Sequence, residues 1–147
     1  MVERGEPVRL RERPAALVAV GAAHVLAHLP PRRIRNILTV LRCGAVPATY
    51  QQTQAARDVV VATSVLCAGE GCVQRALAAT LLCRLRGVWP TWCVGVRTAP
   101  FAAHAWVEVD GRPVNEPHSS GYYRTIVTIP PNPTPAKPAR PTMKTSR

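Results

Sequence analysis

The chain has 147 residues, 47% of them apolar, and carries a formal charge of +11 from 19 basic and 8 acidic side chains. That length is one domain and is enough to bury a sizeable core. The composition excludes a wholly disordered chain, and the apolar runs are too short for a membrane span, which takes about 20 residues.

Five cysteines (Cys43, Cys67, Cys72, Cys83, Cys93) form no CxxC pair, and four histidines are scattered among them. No metal-ligand spacing results, so neither a metal nor a cofactor is expected. Free thiols in odd number point to a reducing, cytoplasmic setting. The Arg-, Ala- and Pro-rich usage is that of a GC-rich genome, a bacterial one by this reading. It also supplies much of the positive charge. Arg32, Arg33, Arg35 and Arg42 form one basic group and Lys137, Arg140, Lys144 and Arg147 another. Neither is interleaved with aromatic residues, so a nucleic-acid stacking platform is not expected.

In chain order, residues 1–13 form a charged arm. Pro14 opens a helix over residues 15–29. That apolar stretch follows basic residues as an export signal would, but His24 and His28 interrupt it and a core helix is the better reading. Pro30-Pro31 ends it. Ile34, Ile37, Leu38 and Leu41 then give residues 32–42 the spacing of an amphipathic helix. A third helix is expected over about 50–66, then a flexible Ala68-Gly69-Glu70-Gly71 break. A fourth helix runs from Cys72 to Arg86, stopped by Gly87 and Pro90.

Beyond it the apolar period falls to two. Strands are expected at 92–97, 102–109, 113–116 and 122–129, with Asp110-Gly111 as a hairpin turn. Residues 130–147 are rich in Pro, Lys and Arg and read as a disordered tail. Helices first and antiparallel strands after make the fold class α+β, with one domain over residues 14–129.

Cys72 opens a helix directly behind Gly69 and Gly71. A helix N-terminus favours thiolate over thiol, and its unpaired N–H groups can hold an oxyanion. Strand alternation puts His104 with Trp106 and Glu108 on one face, and Ala103, Ala105, Val107 and Val109 on the other. A cysteine nucleophile needs an imidazole within reach and a third group to orient it. Asn115 and Glu116 both qualify. A plain two-residue turn puts Asn115 on the His104 face, whereas a bulge puts Glu116 there.

The segments GCVQRALAATLLCRLRG and GVRTAPFAAHAWVEVDGRPVNE, spanning Gly71 to Glu116, resemble the transglutaminase-like proteins of lasso peptide biosynthesis. More narrowly, they resemble the protease half of the split B protein. The resemblance implies a transglutaminase-like, papain-like cysteine protease core with Cys72 as nucleophile and His104 as base. The family acid, usually aspartate, falls on Glu116, with Asn115 as the alternative orienting residue. It further implies removal of the leader from a ribosomally made precursor peptide. A separate small recognition protein would hold the leader and a cyclase would act next. Crosslinking by acyl transfer and a non-catalytic scaffold binding peptide or nucleic acid are the rival readings.

Overall fold

The computed structural model describes residues 13–64, 71–118 and 120–133. Among the described residues four helices lead: α1 (Arg13–Ala27), α2 (Pro31–Leu41), α3 (Tyr50–Thr63) and α4 (Cys72–Leu85), with a two-residue strand β1 (Val46–Pro47) before α3. The strands β2 (Val88–Trp89), β3 (Thr91–Thr98), β4 (Phe101–Val109), β5 (Arg112–Pro113) and β6 (Arg124–Ile129) follow. The α+β class and the helices-then-sheet order are as the sequence indicates.

Local chemistry explains the boundaries. Pro31 sits in the first turn of α2, where its missing N–H costs nothing. Thr49 and Gln52 form a reciprocal capping box at the start of α3, with bonds of 3.2 and 2.9 Å. The α3 helix stops at Thr63, with Ser64 extended; the last two residues of the expected helix lie outside the described residues, as do Cys67, most of the glycine-rich break, residues 1–12 of the arm and residues 134–147 of the tail.

The α4 helix is the centre of the molecule. Its residues Ala76 through Cys83 are all buried, and α1, α3 and β4 pack around it. Small side chains on α1 (Ala16, Ala19, Ala23), α3 (Thr53, Ala56) and α4 (Ala76, Ala79, Thr80) let the helices approach closely. Thr53 and Thr80 return their hydroxyls to the carbonyls of Thr49 and Ala76, so neither brings an unpaired polar group into the core. Truncating Leu77 or Leu82, both fully buried, would cost about 2–5 kcal/mol.

The main sheet is antiparallel, in the order β5-β4-β3-β6. The parallel pair β1–β2 had no clear signal in the sequence; it fastens the α2–α3 connection to the strand after α4. Ala105 and Val107 on β4 join the helical core, together with Trp92 and Ile129. Trp89, fully buried, donates from Nε1 to the Ile129 carbonyl at 3.2 Å. Both Trp89 and Trp92 are therefore core residues and line no cleft at the site. Among the described residues no helix is long and apolar enough to cross a membrane.

The expected third strand is cut short. Asp110 and Gly111 both have positive φ, as a tight hairpin requires, and the register begins as a two-residue turn dictates, Val109 against Arg112 and Glu108 against Pro113. After Val114, whose N–H still reaches the Val107 carbonyl at 2.9 Å, Asn115 adopts φ 51° and turns the chain out of the sheet.

Candidate active site

Gly71 is the N-cap of α4, and Cys72 is the first helical residue. Ala, Leu and Thr side chains from the same helix anchor it in the core, so the sulfur stands at the tip of an immobile element. The Cys72 thiol lies within hydrogen-bond reach of the His104 imidazole, and the Ala105 N–H also points at the sulfur. These contacts, with His104 first and the nearby Arg75 charge adding, hold the thiol below its ordinary value against the opposing effect of burial.

His104 projects from the middle of β4. Its Nε2 lies 2.8 Å from Glu116 Oε2, which leaves Nδ1 for the sulfur. The imidazole is raised from 6.5 to about 9, first by its bond with Cys72 and then by Glu116, with burial pulling the other way. Lowered thiol and raised imidazole both favour a thiolate–imidazolium pair over the neutral pair. Glu116 is itself well enclosed, its side chain 6% exposed, and Arg57 of α3 stands 3.9 Å from its other oxygen. Burial, with help from Arg75, pulls the Arg57 guanidinium below its ordinary value, though it remains charged. Three groups are thus strung from one helix tip through a strand to the segment after the hairpin.

Asn115, the alternative orienting residue, is placed elsewhere. Its side chain accepts from Gln54 Nε2 at 3.1 Å and donates to Asp58 at 3.3 Å, and its N–H faces the Tyr50 hydroxyl at 3.4 Å. All three partners are on α3. The plain-turn register that would have set Asn115 opposite Trp106 does not extend that far, because the positive φ at Asn115 breaks the alternation and swings Glu116 inward instead.

The remaining described thiols differ sharply. Cys83 and Cys93 are fully buried and are pushed up to about 12, chiefly by burial; Cys43 is exposed. Brief treatment with iodoacetamide at pH 6, followed by peptide mapping, is expected to label Cys72 ahead of Cys43 and to leave Cys83 and Cys93 unmodified. Equal labelling of Cys43 and Cys72 would count against a thiolate at the helix tip.

Strand alternation set Trp106 beside the imidazole but did not reveal Tyr123. His104, Trp106 and Tyr123 lie with ring centroids 5.1–6.0 Å apart on the outer face of the sheet. Gly95, paired with His104 across β3 and β4, makes this possible. A Cβ there would lie 2.8 Å from the Trp106 ring and 2.9 Å from Tyr123 Cβ. Gly95→Ala is expected to destabilise by about 1–3 kcal/mol in thermal or urea unfolding, the usual cost of overpacking. A glycine in the middle of a strand was the available signal. His118, in the segment after Glu116, stacks on Tyr122 with ring centroids 3.9 Å apart.

Among the described residues no cluster of three or more His, Cys, Asp or Glu side chains could hold a metal ion. No curated protein and no solved structure matches the chain. A family model described as the transglutaminase-like superfamily matches residues 16–128. That superfamily includes cysteine peptidases and acyl transferases, both of which run through a cysteine thioester, and its match spans the helices, the sheet and the Cys72–His104–Glu116 cluster alike. The chain belongs to the transglutaminase-like superfamily.

Proposed function

We propose that this chain is a cysteine peptidase that removes the leader from a ribosomally synthesised lasso precursor peptide, with Cys72 as nucleophile, His104 as acid and base, and Glu116 as the orienting group. The observation that carries the peptidase reading is the alignment of a helix-tip thiol with an imidazole whose far nitrogen is held at 2.8 Å by a buried carboxylate. The narrower assignment to leader removal rests on the likeness of GCVQRALAATLLCRLRG and PFAAHAWVEVDG to lasso leader peptidases.

In the proposed reaction the Cys72 thiolate attacks the carbonyl carbon at the leader–core junction. The first N–H groups of α4 face the resulting oxyanion. The C–N bond breaks as His104 gives its proton to the departing amine, leaving the leader as a thioester on Cys72. His104 then takes a proton from water, hydroxide adds to the thioester carbon, and the leader leaves as a carboxylic acid while the sulfur recovers its charge. A small leader-recognition protein would bring the precursor, and a cyclase would consume the freed core. The free thiols suit a reducing cytoplasm.

The test is the mass of the products from a precursor peptide incubated with the purified chain and a recognition protein. Hydrolysis gives two fragments whose masses sum to precursor plus one water. Acyl transfer from a glutamine gives a product lighter by one ammonia than its two reactants, and that result would replace the peptidase with a crosslinking enzyme.

A further inference from the structure

Beside the imidazole is a shallow pocket, open on one side, between the outer face of the sheet and the segment following Glu116. Its walls include Trp106, Tyr123 and His118, its carboxylates are Glu108 and Glu116, and His104, whose charge is answered by Cys72 and Glu116, borders it. Cys72 does not.

Two features decide what it suits. Glu116 is already committed to His104 and faces Arg57, so Glu108 is the carboxylate with capacity to spare. One of its oxygens accepts from Trp106 Nε1 at 3.1 Å, and the Cys93 thiol also contacts it, but a carboxylate has about four lone-pair directions. An anionic guest would meet like charge here, and a neutral apolar guest would cover Glu108 without replacing its water. A cation answers Glu108 and lies beside the Trp106 and Tyr123 rings, on which the His104 ring already stacks. Arg57 is held on Glu116, and Arg97 bonds the Tyr122 hydroxyl and the Ala99 carbonyl and lies over the Tyr122 ring, so neither lines the pocket.

Position supplies the second half. If the chain is the peptidase proposed above, His104 protonates the departing amine. The half of the substrate that passes beyond the imidazole is then the leaving half. We infer that this pocket receives a lysine or arginine side chain carried on the C-terminal side of the scissile bond, with Glu108 as the residue that selects it.

The test uses the full chain with Cys72→Ala, so that binding is read without turnover. Short peptides with a free amino terminus carry lysine at the first, second or third position, and are compared with otherwise identical peptides carrying norleucine or glutamate. Binding is followed by tryptophan fluorescence. At one position the lysine peptide is expected to bind at least about tenfold more tightly than the norleucine peptide, the size of one charge-assisted contact. Glu108→Gln, which keeps an acceptor for Trp106 Nε1, is expected to remove that preference. Tyr123→Leu provides a second variant that weakens the lysine peptide through loss of the ring. Equal binding of lysine and norleucine peptides at every position, or an undiminished preference in Glu108→Gln, would overturn the assignment. Selective lysine binding by a chain that cleaves nothing would retain the pocket and remove the peptidase; cleavage with no lysine selectivity would do the reverse.

Discussion

Cys72→Ala is expected to lower precursor cleavage by about 10⁴-fold or more, to the limit of detection, and His104→Ala to lower it comparably, because residues of one catalytic unit fail together rather than additively. The double variant should be no slower than either single one. Neither side chain is fully buried, so the melting temperature is expected to change little for Cys72→Ala. That separates lost chemistry from lost fold. Full cleavage by the purified Cys72→Ala protein, measured by mass spectrometry with trace contaminants excluded, would end the mechanism outright.

Glu116 should matter in a different way. Glu116→Ala is expected to reduce kcat by about 10²-fold or more, since the imidazole loses its orienting partner and Arg57 loses its counter-charge. Glu116→Gln is expected to fall between the two, because an amide oxygen can still accept from Nε2. The pH profile is the more telling readout. Activity requires the thiolate and the imidazolium together. On the acid side it falls as Cys72 takes up its proton, below the ordinary thiol range because that thiol is lowered. On the alkaline side it falls as His104 loses its proton, near about 9. Glu116 is one of the causes holding His104 up, so Glu116→Gln should move the alkaline limb to lower pH. Linkage gives the matching stability result. His104 is raised from 6.5 to about 9, so its contribution to stability is complete below about 6.5 and disappears as pH rises through about 9. An alkaline limb that stays put in Glu116→Gln would mean that the carboxylate does not govern the imidazole. Asn115→Ala, by contrast, should leave the profile in place, because Asn115 contacts α3 and not His104.

Much of this arrangement is written in local sequence. Periodicity and punctuation mark all four helices and the three long strands, since prolines, Gly87 and the Asp110-Gly111 turn act within a few residues of themselves. Alternation on β4 likewise separates His104 from Ala105. The choice between Asn115 and Glu116 was not legible, because it depends on one left-handed residue at Asn115 and on what α3 offers it: Gln54, Asp58 and Tyr50, more than fifty positions earlier. The pocket was hidden for a similar reason. It needs Gly95 on β3, Trp106 on β4 and Tyr123 just before β6, and the β3–β6 register includes an irregularity between Val94 and Gly95 that no spacing rule foretells.

The burial of α4 on every side has a consequence for how substrate gains entry. A helix whose middle eight residues are sealed exchanges its amide hydrogens only when the whole domain opens. The nucleophile sits one turn ahead of that sealed stretch, so the sulfur is carried on the last part of the domain to open and is the fixed point against which the substrate is measured.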